Sequence, residues 1–180
     1  MSHLFLAAAV AVTAVAAVVD WKTGEIPNAL TFGALGLAPL GHAVFGYREA
    51  GPTGAVYGVA FSFAGLLLCG LVPFVLFRLG GGGGGDVKLL AALGAILAPM
   101  MGIEAELYAF VAAALYAPAR LAWEGKLLRT LANSARLLVN PFLPKDRRRE
   151  IPAEMMSPLR FGPAAFVGTL IVVLENWRDA

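Results

Sequence analysis

The chain has 180 residues, of which 59% are hydrophobic and only 14% charged, with a formal net charge of +2. A soluble domain carries roughly a quarter charged residues, so this composition and a mean hydropathy of +0.74 exclude an ordinary soluble enzyme. The single cysteine, Cys69, excludes an internal disulfide and a paired-cysteine zinc motif. We therefore predict an all-α, polytopic membrane protein made of one domain, 1–180.

Hydropathy and helix-breaking residues predict about six transmembrane helices. The first lacks the basic start and the small-residue cleavage site of a signal peptide, so we expect it to be retained. A polar turn over 47–54, the glycine run and a tight turn at Gly102–Glu104 are expected to separate later helices. The predicted helices are Leu4–Val19, Ala29–Phe45, Ala55–Phe77, Val87–Met101, Ala105–Trp123 and Phe161–Glu175.

Orientation follows from the basic residues. If the loop after the first helix is cytoplasmic, 12 of the 14 Lys and Arg residues lie on that side, and Arg48 and Arg178 lie on the other. Cytoplasmic loops carry an excess of Lys and Arg. We therefore predict that both termini are outside, in a protein of the inner (plasma) membrane.

A long basic segment, 124–160, is predicted on the cytoplasmic side. Its leucines and its basic residues fall on separate helical stripes, which suits an amphipathic helix on anionic lipid. A solvated extension of the fifth helix fits the pattern equally well. The cluster 145–149 is interpreted as a topology anchor, so a membrane-lipid partner is expected and a nucleic-acid partner is not.

Two acids stand at the ends of apolar helices. Asp20 follows the first predicted helix and Asp86 follows the third, so both are expected on the cytoplasmic face. Ionisable groups at membrane depth are costly and are by default functional. Two carboxylates in one site can hydrolyse a peptide when one is ionised and activates water while the other donates a proton. An alternative is a transporter or channel component that uses Asp20 and Asp86 to bind a cation or relay protons.

Six glycines precede Asp86. Gly83, Gly84 and Gly85 provide backbone without side chains, which a peptide could approach closely beside the acid. A flexible linker is the alternative interpretation of such a run. A nucleotide site is excluded because no strand precedes the glycines and no Gly-Lys-Ser/Thr follows them.

Residues beside the acids are candidate supporting groups. Lys88 could pair with an acid or a lipid phosphate, help to hold the shared charge of the two acids, or simply extend towards the membrane interface. Pro27 and Asn28 suit the first turn of the second helix, and Glu25 is interpreted as a solvated loop charge.

The remaining polar residues predict no metal site and no cofactor. His3 and His42 are expected at helix ends on the face away from the acids, and Cys69 is interpreted as helix packing. Glu104 and Glu106 are expected to be ordinary surface charges on that outer face.

The chain resembles the type IV prepilin peptidases, which are GxGD intramembrane aspartyl proteases. The similarity rests on Asp20-x5-Ile26-Pro27-Asn28 and on the segment from Gly83 through Asp86 and Lys88 to Gly94, and it covers essentially the whole chain. The resemblance implies catalytic roles for Asp20 and Asp86, and cleavage of the basic leader of a pilin-like precursor at the cytoplasmic membrane face.

Other parts of the resemblance are less complete. Phe161-Gly162-Pro163-Ala164 is similar to an aromatic-Gly-Pro segment of the family, but Arg160 replaces an expected proline, so no function is carried over to it. The paired cysteines of larger, methylating members are missing. The chain looks like the short type associated with tight-adherence (Flp-type) pili, and the archaeal preflagellin peptidases are also similar. The exact pilin, the acid that acts as base and the oligomeric state stay open.

Overall fold

The computed structural model describes residues 2–79, 82–125, 127–128, 131–132 and 160–178. These form α1 (His3–Thr23), α2 (Asn28–Arg78), α3 (Gly84–Trp123) and α4 (Gly162–Asn176). The all-helical prediction is confirmed for the described residues. Most of the predicted basic segment 124–160 lies outside them.

The chain divides into two compact units. One comprises Met1–Ala112 with Arg160–Ala180, and the other comprises Ala113–Leu159. In the second unit, Arg120 Nε donates to Glu124 Oε1 at 2.9 Å. Every other contact described below lies within the first unit, and the expectation of one domain stays a prediction.

Helix α2 is sharply bent near its middle. Ala50 (φ −142°, ψ 26°) and Gly51 (φ 61°, ψ −149°) leave helical geometry directly before Pro52. A glycine tolerates the positive φ, and a residue before proline avoids the α region. A Cβ on Gly46 would meet the carbonyl of Gly54, so the two halves run back alongside each other. The predicted turn over 47–54 is therefore confined to two residues.

Helix α3 breaks at Ala98, where φ is 60° and ψ is 177°. The break precedes Pro99, which has no N–H to continue the helix. The predicted turn at Gly102–Glu104 is wrong, because these residues are helical. Gly102 instead packs against the first half of α3, because a Cβ there would lie 2.9 Å from Gly94 Cα.

The core centres on the first half of α3, where every residue of 89–97 is buried. The break at Ala98 removes helical partners from the carbonyls before it, and two of these are satisfied by α2. Ser62 Oγ donates to the Ala95 oxygen at 2.8 Å, and a ring nitrogen of His42 lies 3.0 Å from the Ile96 oxygen. Side-chain donors thus satisfy backbone carbonyls that would otherwise lack a hydrogen bond in an apolar interior.

The described helices suit a membrane protein. Helices α1, α2 and α3 are long and apolar enough to cross a bilayer, and α4 is a shorter apolar helix. The second and third predicted spans are the two halves of α2, and the fourth and fifth are the two halves of α3. Within each pair the two halves are separated only by the break described above, and a count of six crossings stays a prediction.

Candidate active site

Asp20 lies in the last turn of α1 and is only 4% exposed. Helix α1 ends just beyond it, because Gly24 adopts the left-handed conformation (φ 77°) and donates to the Asp20 carbonyl at 2.8 Å. The side chain turns towards α4, where the Gly162 N–H donates to Asp20 Oδ2 at 2.8 Å. The sequence placed Asp20 at a helix end, and the structure makes it buried and hydrogen-bonded there.

Asp86 lies in the first turn of α3. Its Oδ2 accepts the Gly83 N–H at 3.0 Å, and its own N–H donates to the Gly83 carbonyl at 3.1 Å. A carboxylate at a helix N-terminus is favourable, because it satisfies free N–H groups and the helix dipole. The preceding glycines therefore start the helix as well as leaving space around the acid.

A small cavity opens beside Asp86. Its volume is about 60 Å³. A water molecule needs roughly 10–15 Å³ of such space, so the cavity can hold one or a few waters next to a carboxylate. It is lined by Pro73, Leu76, Gly82, Gly83, Asp86, Leu90, Phe110 and Phe161.

The structure brings the two acids to one end of the helices. The start of α4 contacts the surroundings of both acids. Phe161 lines the cavity of Asp86, while the next residue, Gly162, hydrogen-bonds Asp20. Asp86 lines a water-sized cavity, and Asp20 is bonded to the residue next to that lining. Two carboxylates placed close enough to share a bound water could exchange protons with it and with a carbonyl group.

The Ile26-Pro27-Asn28 segment packs directly on the Asp86 segment. A Cβ on Gly85 would lie 3.3 Å from Ile26 Cβ, and Lys88 Nζ donates to Asn28 Oδ1 at 2.7 Å. Pro27 is the N-cap residue of α2, and its carbonyl accepts the Thr31 N–H at 3.2 Å. The two motifs that the sequence singled out are therefore parts of one structure.

Lys88 has a defined place in this arrangement. Besides bonding Asn28, its Nζ lies 5.5 Å from the centre of the Phe32 ring. Among the described residues, no ion pair between Lys88 and an acid is present, and the other interpretations of Lys88 stay predictions. Lys88 joins the start of α3 to the start of α2.

The burial of Glu106, an acid away from the site, differs from the prediction. Glu104 is exposed as expected, but Glu106 is 6% exposed, so its prediction as a surface charge is wrong. Its Oε1 has no partner among the described residues. The small residues Gly102, Ala105 and Ala109, at helical spacing around it, were a signal that this face is buried.

Comparison with known proteins gives the family of the chain. Residues 7–118 match the type IV leader peptidase family, which is more than half of the chain. The chain belongs to this family. The matched region includes Asp20, the Ile26-Pro27-Asn28 segment and the Gly83–Lys88 segment, but it ends before α4.

A curated member of similar sequence is the prepilin peptidase EppA of Methanothermobacter thermautotrophicus. It is 31% identical over 160 residues, which cover 85% of this chain and 39% of that protein. The chain thus spans about two fifths of the length of its type IV leader peptidase relative. No solved structure matches the chain.

Proposed function

We propose that the chain is a membrane-embedded aspartyl endopeptidase that removes the leader peptide of type IV or Flp-type prepilins. The observation that carries the proposal is that the start of α4 links the two acids: Gly162 hydrogen-bonds Asp20, and the adjacent Phe161 lines the small cavity of Asp86. Membership of the type IV leader peptidase family and similarity to a prepilin peptidase support the substrate class. The partner is therefore a pilin-like precursor.

In the proposed reaction, water in the cavity attacks the scissile carbonyl. The ionised carboxylate takes a proton from this water, and the protonated partner donates its proton to the carbonyl oxygen. The tetrahedral intermediate then collapses: the C–N bond breaks, the leaving nitrogen takes a proton from the carboxyl pair, and one hydroxyl of the intermediate returns its proton to the pair as the carboxylic acid forms. The pair finishes with one proton, as it began.

The backbone around Asp86 suits a peptide substrate. Gly82 and Gly83 are exposed, and a Cβ on Gly82 would meet nothing within 4 Å. An extended substrate can therefore approach the main chain next to the acid without displacing a side chain. The exposed face of these glycines is where we place the residues around the scissile bond.

The same proposal includes six membrane crossings with the acids on the cytoplasmic face of the inner membrane. At about 1.5 Å per residue, the 51 residues of α2 would span far more than the ~30 Å hydrocarbon core if they were straight. The bends in α2 and α3 give six helical runs: 3–23, 28–49, 52–78, 84–97, 99–123 and 162–176. Both termini then lie outside.

The test is cleavage of a prepilin by the purified protein in lipid vesicles, followed on a gel as loss of the leader. We expect Asp20→Asn and Asp86→Asn each to reduce cleavage at least ~100-fold, because Asn cannot exchange the proton. The double variant should be no worse than either single one, since the acids act as a unit.

Glu104→Gln is the matched control, because it neutralises an exposed carboxylate of α3 and should leave cleavage unchanged. Substantial cleavage by either aspartate variant would refute the aspartyl mechanism. An intact precursor together with proton or cation flux through wild-type vesicles would favour the transporter alternative instead.

A further inference from the structure

The first residue of α4, Gly162, is fitted against Asp20. Its N–H donates to Asp20 Oδ2 at 2.8 Å in a buried position. A Cβ at this residue would lie 2.9 Å from both Asp20 Cβ and Oδ2, and 3.1 Å from the Ala16 carbonyl. Any side chain at position 162 would therefore push the carboxylate away from the N–H that holds it.

The hydrogen bond is of a strong type. The first N–H groups of a helix have no partner within the helix, and the positive end of the helix dipole favours a negative charge. Pro163, the next residue, has no N–H to offer, so Gly162 is the donor on this side. A hydrogen bond to a carboxylate is shorter and roughly twice as strong as a neutral one.

The start of α4 also contributes to the cavity beside Asp86. Phe161 is buried, lines the cavity of Asp86 and lies with its ring centre 5.5 Å from that of Phe110. Adjacent residues thus face the two carboxylates. A shift of Gly162 or Phe161 would therefore change the distance between Asp20 and the cavity in which we place the substrate carbonyl.

We propose that Gly162 is a positioning residue: its N–H fixes the Asp20 carboxylate, and its missing side chain lets α4 come close enough to do so. The proposal rests on the proposed function above. It adds a residue outside the matched family region, 7–118, to the machinery of the reaction.

Kinetics give the first test. Loss of a hydrogen bond to a charged group corresponds to roughly 10- to 100-fold in rate. We expect Gly162→Ala to lower kcat by this factor per folded enzyme while KM stays within about twofold. Gly168→Ala is the matched control on α4: its Cβ would lie 2.9 Å from Ala109 Cα, away from both acids. It should lower stability while kcat per folded enzyme is kept.

A second measurement does not depend on activity. The sequence has four aspartates, Asp20, Asp86, Asp146 and Asp179, so carboxyl-labelled aspartate gives four ¹³C signals, and Asp→Asn variants assign those of the pair. Gly162→Ala should move the Asp20 signal, and Gly168→Ala should leave it in place. If Gly162→Ala accumulates poorly, its loss of thermal stability should be smaller in an Asp20→Ala background, where the clash with Oδ2 is gone.

The outcomes separate the two claims. An unmoved Asp20 signal, an unchanged kcat in folded Gly162→Ala, or equal destabilisation in both backgrounds would overturn the positioning role. If Gly162→Ala moves the Asp20 signal but the wild-type protein cleaves no prepilin, the proposed function is overturned while the contact between Gly162 and Asp20 is supported.

Discussion

The close approach of α2 and α3 at Gly65 and Gly94 can be tested by adding one methyl group. A Cβ on Gly94 would meet the Gly65 carbonyl oxygen and would lie 2.7 Å from both the Gly65 carbonyl carbon and Cys69 Cβ. Carbon atoms pack at about 3.5–4.0 Å, so the helices must separate by about 1 Å. Such overpacking costs roughly 1–3 kcal/mol. We expect Gly94→Ala to lose about 2 kcal/mol and ~4–8 °C in Tm.

The assay uses the chain's single cysteine. Cys69 is fully buried, at 0% exposed, so a thiol-reactive dye added during heating reports when α2 and α3 open. Gly36→Ala is the control, because its Cβ would meet nothing within 4 Å. There, alanine should raise Tm slightly through helix propensity, which favours Ala over Gly by about 1 kcal/mol. A Gly94→Ala protein that opens at the wild-type temperature would refute the packing argument.

Three further changes test the contacts around the site and the core. Gly85→Val should cut cleavage severely, because its side chain would displace Ile26, which a Cβ would already approach to 3.3 Å. Gly80→Ala, five residues earlier in the sequence, should be mild, and equal tolerance at the two positions would mean that the glycines are only a tether. Lys88→Met and Asn28→Ala should each lower Tm, and the double variant should lose less than their sum because both remove the same 2.7 Å hydrogen bond. Glu106→Leu should raise Tm by a few degrees, since it removes a buried oxygen without a partner among the described residues; a fall in Tm would show that the carboxyl is better satisfied than these contacts indicate.

The sequence was sufficient for the parts of the fold that local chemistry decides. Apolar runs predicted the helical regions, and the positions of Asp20 and Asp86 at helix ends predicted that they could meet. The break at Ala98 was also readable, because Pro99 follows it, but the glycine at 102 gave a competing turn signal. In the structure that glycine serves packing, since a Cβ there would lie 2.9 Å from Cys69 Sγ.

Contacts between distant segments could not be predicted in the same way. Nothing local to Gly162 indicates that its N–H reaches a carboxylate 142 residues earlier in the chain. The burial of Glu106 likewise depends on which face of α3 meets α2. A hydropathy profile treats a glutamate near a predicted helix end as a surface charge, whereas helix packing decides whether it is one.

The packing of the second half of α2 explains how such a site can be held precisely in lipid. Its buried residues are Ser62, Gly65, Cys69 and Pro73, while most of its large apolar side chains are exposed. Lipid tails are as apolar as leucine, so large side chains gain little by facing another helix, and association depends on close backbone contact and hydrogen bonds. Small residues provide that contact, and the Ser62 hydroxyl satisfies the Ala95 carbonyl exposed by the break in α3. Backbone contact is less adjustable than side-chain packing, because neither helix can move aside by a change of rotamer. The start of α3, and Asp86 with it, is therefore fixed by the same small residues that hold the helices together.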